Sequence, residues 1–473
     1  MADLLSDFAA AVARTPDRTA IIDGLGRRVS FTQLQARAQG LARAWHARGI
    51  GKGDRVLLAM RVDADLYASL AALWSLGATV VLPEPAMGLA GLRHAVRVAG
   101  VTAFASAGAY GLLRFALPAL WRLPHVRPIA KPGPALDLPL PDAGDLALIS
   151  FTSGTSGAPK AIPRSHGFLA AQHRAIAPML DSSAAEVDLV AFPVFVLINI
   201  ASGRTSVLPN WKMSQLAQVQ PAALTAWMAQ HTVTRALLPP ALCDTLAGGA
   251  IPPSLHTVFT GGGPIFPDLL RRLQAEVPAL DITCVYGSTE AEPIAHLSSA
   301  QITAQDVAAM AAGQGLLVGL PVRDIQVRIV AGEIQVAGPH VNSGYLDPAH
   351  DAENKVRIGQ IIWHRTGDAG YFDAQGRLWL LGRVGTQVDL AGKPTYPFQI
   401  DVAARSWPGA AQCALMSVRG APCLVIAGDA ACLNAWTKAA AQLDISSVKH
   451  IARIPMDRRH ASKVDRKALQ KLL

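Results

Sequence analysis

Residues 29–60 read "VSFTQLQARAQGLARAWHARGIGKGDRVLLAM". Apolar residues recur at three- and four-residue spacing through the first half, the period of one helix face. Gly51 and Gly53 interrupt that pattern, and the short apolar run after them reads as a strand. The helix–strand unit recurs at residues 66–82 and again near Leu89–Ala105. Such alternation points to an α/β fold with a largely parallel sheet.

The chain has 473 residues, of which 51% are hydrophobic. That suits a packed globular enzyme and argues against disorder. The net charge of +9 comes from 43 basic and 34 acidic residues. It reads first as a soluble surface with surplus arginine, and second as an attraction for anionic ligands such as nucleotides. No basic stripe interleaved with aromatics suggests nucleic-acid binding. The cysteines Cys243, Cys284, Cys413, Cys423 and Cys432 form neither a CxxC pair nor zinc spacing with histidines. They read as reduced thiols of a cytoplasmic protein. The opening "MADLLSDFAAAVARTPDRTAII" lacks a basic leader and carries Asp3 and Asp7, so it reads as an amphipathic helix and not as a signal peptide.

Leu66–Pro83 carries no charge and imitates a membrane span, but Gly77 divides it. It reads as a buried helix feeding a core strand, and no transmembrane segment is expected. "GLLRFALPALWRLPHV", from Gly111, is broken by Arg114, Arg122 and two prolines. It reads as a surface helix and turn, bordering an apolar entrance or touching a membrane.

Approaching residue 383 the texture shifts to short strands with turns, in "EIQVAGP", "GYFDAQGRLWLLGRV" and "TQVDLAG". Two units follow: residues 1–382, and a compact α+β unit over 383–473. The second unit's tail, "RIPMDRRHASKVDRKALQKLL", holds seven Lys/Arg against two Asp. It reads as a solvated basic helix, or as the carrier of a lysine that reaches a phosphate.

The most specific stretch is "FTSGTSGAPKAIPRSH", residues 151–166. Thr152, Ser153, Thr155 and Ser156 surround Gly154 and Gly157, and Lys160 follows. Glycines let backbone N–H groups approach a phosphate, hydroxyls donate, and lysine supplies charge. The spacing is not that of a Walker loop, because Pro159 stands where its second glycine belongs and Ala161 follows the lysine. Two further clusters follow strands: Gly261-Gly262-Gly263 in "VFTGGGPIFPDLL", and Tyr286-Gly287 in "ITCVYGSTEAEPIAHL". Ligands of α/β sheets sit beyond the carboxyl ends of strands, so the three turns are expected to converge on one site.

Taken in order, "FTSGTSGAPKAI", "TGGGP", "YGSTE", "GEIQVAGP", "HRTGDAGYFDAQGRLWLLGRV" and a lysine after "RIP" resemble the acyl-adenylate-forming superfamily. That group includes acyl- and aryl-CoA ligases, peptide-synthetase adenylation domains and luciferases. The resemblance spans nearly the whole chain. It implies an AMP-binding adenylating domain over 1–382, a small mobile C-terminal domain over 383–473, and ATP with Mg2+ as cofactors. It implies that a carboxylate attacks the α-phosphate, releasing pyrophosphate and leaving an acyl-AMP. The loop Thr152–Lys160, including Thr155, would hold the β- and γ-phosphates. Glu290 would be the magnesium ligand and Thr289 would touch the α-phosphate. Tyr286 would stack on adenine beside Gly287, with Gly261–Gly263 lining the pocket because a side chain there would strike the base. Asp368 would accept the ribose hydroxyls, Arg383 would contact the nucleotide, and Lys463 would be the catalytic lysine.

The chain departs from the family at three places. Gly385 stands where the hinge usually has Asp or Lys, Ala161 follows Lys160, and Ser462 precedes Lys463. The segment "DLVAFPVFVLINIASGRTSVLP" resembles long-chain fatty-acid ligases and olefin-pathway β-lactone synthetases. An acyl pocket would then use Phe192, Phe195, Val196 and Ile198, which otherwise read as core residues of a buried strand. The substrate implied is a fatty or 3-hydroxy fatty acid. The reading is a fatty-acid ligase that passes the adenylate to CoA or a carrier protein; the alternative is a β-lactone synthetase, in which the adenylate closes on the substrate's own 3-hydroxyl without CoA.

Overall fold

The computed structural model describes residues 3–84, 87–152, 159–418, 420–456 and 463–473. The opening stretch folds as its pattern requires. Ser30 caps the helix Phe31–His46 in a capping box with Gln33, which satisfies donors that the first helical turn leaves open. Phe31, Leu34, Leu41 and Trp45 form the buried stripe of that helix. The chain then turns at Gly53, with φ +92°, into the strand Arg55–Ala59. The uncharged stretch forms the helix Ala64–Ser75 and the strand Thr79–Val81, separated at Gly77 with φ +70°. No helix among the described residues is long and apolar enough to cross a membrane. The third unit gives the helix Gly88–Val98 and the strand Ala103–Ser106.

Three of these strands join a six-stranded sheet in the order His125–Val126, Ala103–Ser106, Arg55–Ala59, Thr79–Val81, Leu146–Phe151, Ala161–Ser165. Every pair but the last is parallel. A larger sheet of 14 strands contains a parallel block: Thr19–Ile22, Thr205–Val207, Val187–Val190, Arg235–Leu238, Thr257–Gly261 and Asp281–Ser288. It continues antiparallel from Ala291–Ser298 onward. The architecture is therefore mixed α/β.

A separate three-stranded sheet, Ala410–Val418, Ala421–Gly428 and Ser447–His450, packs on the helices Pro397–Ala404 and Leu433–Ala441 around Leu415, Leu424 and Trp436. Among the described residues of the basic tail, the helix is Arg466–Gln470.

One segment differs from its sequence reading. Pro193–Ser202, expected as a strand, is a helix. Its β-branched and aromatic residues favour a strand in isolation. Burial on both sides removes the alternation that would distinguish the two. Pro193 at the first turn and Gly203 in the left-handed conformation bound the helix.

Candidate active site

The parallel block ends with all its carboxyl termini on one edge. Gly261 and the Tyr286–Glu290 segment leave from that edge, and the chain turns from Val190 through Phe192 into its helix there. Thr289 and Glu290 form the tip of a tight hairpin, because Asp281–Ser288 pairs directly with Ala291–Ser298. The glycine loop leaves from Phe151 in the other sheet. The buried Arg164, on the strand that follows this loop, joins the two sheets by donating from Nη2 to the Thr289 carbonyl at 2.7 Å. Gln172 adds a bond to the Glu292 carbonyl at 3.1 Å. These two bonds, from Arg164 within the stretch 151–166 and from Gln172 beyond it, tie the segment after the loop to the hairpin of Thr289 and Glu290.

Ser153, Gly154, Thr155, Ser156 and Gly157 lie outside the described residues. The base of their loop is closed by Thr152, whose N–H donates to the Lys160 carbonyl at 3.0 Å. The Thr152 hydroxyl accepts from the Lys160 N–H at 3.1 Å.

Glycine is required at Gly261 by the adjacent strand, since a Cβ would stand 2.7 Å from the Val285 carbonyl oxygen. A Cβ at Gly287 would meet the Ala291 oxygen at 2.9 Å. Gly262 has φ +79° and faces the Phe192 ring. Gly263 is half-buried in the same turn. Phe192 and Phe195 pack with ring centroids 5.9 Å apart. Val196 and Ile198 sit deeper, at 0% and 1% exposure, within the main core.

On the opposite wall, Asp368 and Arg383 are cross-strand partners. Arg383 Nη1 donates to Asp368 Oδ1 at 2.8 Å and to the Thr366 carbonyl at 3.1 Å. The Tyr286 hydroxyl donates to Asp368 Oδ2 at 2.8 Å. Burial and the neighbouring Asp368 carboxylate both push the Tyr286 pKa up, so the phenol remains a donor. Gly367, at φ +69°, lets the Arg383 guanidinium pass where a Cβ would stand 2.8 Å from Nη2. The result is a carboxylate oriented from two sides, by Arg383 and by Tyr286.

Glu290 has a partner that no motif pairs with it. Tyr345 donates its hydroxyl to Glu290 Oε1 at 2.9 Å. The ammonium groups of Lys160 and Lys355 each lie 5.3 Å from the Tyr345 ring centroid, a cation–π arrangement. Lys355 also donates to the Asn342 carbonyl and lies 3.2 Å from His364 Nδ1. Burial lowers the Lys355 pKa to about 8, against the attraction of Glu290 and Asp351. Burial and Lys355 lower that of His364 to about 4. A phosphate would therefore meet two cations here, one of them weakly solvated. Tyr345 and Lys355 come from the segment after "EIQVAGP", and only the tertiary fold brings them to Glu290.

Among the described residues no three His, Cys, Asp or Glu side chains group as a metal nest. A lone carboxylate fits magnesium, which keeps several waters and takes one or two carboxylates beside substrate phosphates. Lys463 is exposed, just before the helix Arg466–Gln470, next to Val464, which bridges Met456. Gly385, with φ +76° and open space around its Cβ position, follows Arg383 by two residues.

Residues 8–346 match the family model described as AMP-binding enzyme. The chain is 31% identical to an olefin β-lactone synthetase of Stenotrophomonas maltophilia, over 93% of this chain and 90% of the relative. It is 30% identical to another of Xanthomonas campestris pv. campestris, over 82% and 78%. O-succinylbenzoate coenzyme A synthetase from Bacillus subtilis, solved in complex with ATP and magnesium ion, superposes with a TM-score of 0.80 at 20% identity, covering 98% of this chain and 99% of that one.

Proposed function

We propose, from the premise that this chain belongs to the family of AMP-binding enzymes, that the acyl-adenylate it makes is closed by the substrate's own 3-hydroxyl into a β-lactone. The premise carries the first half: the enzyme is an AMP-forming ligase that activates a carboxylic acid as an acyl-adenylate. The second half is our reading. The observation that supports it most is the similarity of 31% and 30% to two olefin β-lactone synthetases along most of the chain.

In this reading Asp368, held by Tyr286 and Arg383, accepts the ribose hydroxyls, while the Tyr286 ring stacks on adenine. The Thr152–Lys160 loop and Lys355 meet the pyrophosphate charge. Glu290, steadied by Tyr345, holds magnesium, which when bound neutralises phosphate charge and favours pyrophosphate departure. Lys463, on a small mobile domain over 383–473, bridges carboxylate and α-phosphate as charge develops. The 3-hydroxyl oxygen then attacks the acyl carbon, the bond from that carbon to AMP breaks, and the hydroxyl proton is released. No thiol enters, so the glycine at the Gly385 pivot position is no handicap. Phe192 and Phe195 border the acid, a fatty 3-hydroxy acid met in the cytoplasm, with Val196 and Ile198 as the packing behind them.

The alternative acceptor is CoA or a carrier thiol, as the name of the solved coenzyme A synthetase implies for that protein. Mass spectrometry of products from ATP, magnesium and a panel of fatty and 3-hydroxy fatty acids separates the two. A product lighter than the hydroxy acid by one water, formed without CoA, is expected. A thioester formed only when CoA is supplied would overturn the lactone reading.

A further inference from the structure

Between Glu84 and Asp137 the chain carries no carboxylate side chain, although the whole sequence has 34. The same stretch contains Arg93, Arg97, Arg114, Arg122, Arg127 and Lys131. Within it, short helical turns at Gly108–Leu112, Leu113–Ala116 and Pro118–Leu120 form a projection. Its outer side chains are large and apolar: Leu112 is 65% exposed, Phe115 76% and Trp121 56%. Its inner side chains, Leu117 and Leu120, are sealed in the core. Arg114 Nη2 ties the two halves together by donating to the Trp121 carbonyl at 2.9 Å. The apolar tips are therefore presented by an anchored segment. Leu112 also lines a shallow groove of about 360 Å³ with Ala109, Tyr110, Leu113 and Ala116.

Single exposed apolar residues need no explanation, but a cluster of them with cations around it does. Arg114 is fixed beside Trp121 by its bond to that carbonyl, Arg122 follows Trp121 in the chain, and Arg114 and Arg127 both add to the burial that lowers the pKa of His125. The position in the fold matters too. Ala103–Ser106 runs parallel to Arg55–Ala59, which runs parallel to Thr79–Val81, which runs parallel to Leu146–Phe151. The projection follows Ser106 and the phosphate loop follows Phe151, so both leave the same edge of one sheet.

We propose that Gly108–Leu123 is a docking surface for an anionic lipid bilayer, with Leu112, Phe115 and Trp121 entering the interface and Arg114, Arg122 and Arg127 meeting headgroup phosphates. Apolar and indole groups rimmed by arginine match the apolar–polar gradient of that interface, and no carboxylate of the segment opposes the charge. Docking there turns the edge that carries the phosphate loop toward the phase in which a long-chain acid dissolves. This surface goes beyond the adenylation chemistry, none of whose residues it uses.

The test is co-sedimentation of the full chain with sucrose-loaded vesicles, containing phosphatidylglycerol or made of phosphatidylcholine alone. The wild type should pellet with the anionic vesicles, and added salt should release it. L112S/F115S/W121S should weaken that binding by about tenfold or more, and R122E/R127E should remove the preference for anionic lipid. All variants should retain acid-dependent pyrophosphate exchange on a short soluble acid, which shows an intact fold. Wild type left in the supernatant, the result expected if the surface instead serves an acidic protein, would overturn the proposal. So would a triple variant that pellets as the wild type does.

Discussion

Tyr286→Phe separates two roles of one side chain. The ring that would stack on adenine stays, and the hydroxyl that holds Asp368 at 2.8 Å is lost. A hydrogen bond to an ionised acceptor contributes about 1.5–3 kcal/mol. Asp368 keeps its Arg383 partner at 2.8 Å, so the carboxylate is not left without a charged neighbour, and the lower end applies. About 1.5 kcal/mol corresponds to roughly tenfold in affinity. If Asp368 binds the ribose, the loss falls on ATP binding in ground and transition states alike. KM for ATP should then rise about tenfold while kcat changes less than about twofold. The assay is acid-dependent ATP–pyrophosphate exchange across a range of ATP concentrations. An ATP KM within about twofold of the wild type would refute the assignment, as would a fall in kcat at constant KM.

Lys463→Ala should reduce adenylate formation by about a hundredfold or more while nucleotide binding, read by equilibrium dialysis, persists; unchanged pyrophosphate exchange would remove Lys463 from the chemistry. Glu290→Gln should raise the magnesium concentration required for half-maximal turnover, and chelation should silence the wild type; a metal titration that superposes on the wild type would count against Glu290. Asp306 concerns stability. Its hydrogen bonds and ion pair with Arg377, at 2.6 and 3.0 Å, lower its pKa to about 2 from 3.8. A carboxylate with a depressed folded-state pKa stabilises fully above the unfolded value, and that contribution fades as pH falls from about 4 to about 2. Asp306→Asn should therefore cost about 2 kcal/mol at neutral pH, measured by urea unfolding, with the gap to the wild type closing across that acid window.

The repeated helix–strand units were legible because each carries its own punctuation. A periodic apolar face, a glycine at positive φ and a short apolar run recur at Gly53 and at Gly77. The strand–glycine–helix unit over residues 257–276 was legible for the same reason. The helix Pro193–Ser202 was not, because its β-branched and aromatic residues favour a strand and its burial hides the helical period, leaving Pro193 and Gly203 as its helix signals. At the site, the motifs placed Asp368, Arg383, Tyr286 and Glu290 in a common list. They could not supply the contacts that orient these groups. Tyr345 lies 55 residues from Glu290 and Arg164 lies 125 from Thr289. Arg164 meets Thr289 through packing of the two sheets, whereas Tyr345 follows the antiparallel bridge Ala291–Val341 and the bond from the Asn342 N–H to the Glu290 carbonyl at 2.7 Å. The glycine at 261 was anticipated, but its demonstrable constraint is the neighbouring strand.

Passage of the carboxylate through an acyl-adenylate is the step on which the proposed chemistry depends, and isotope transfer tests it directly. A 3-hydroxy fatty acid labelled with 18O in both carboxylate oxygens is incubated with ATP, magnesium and enzyme, without CoA, and all products are weighed by mass spectrometry. AMP should carry one 18O and the lactone should retain the other. Unlabelled AMP, or ADP in its place, would contradict passage through an acyl-adenylate.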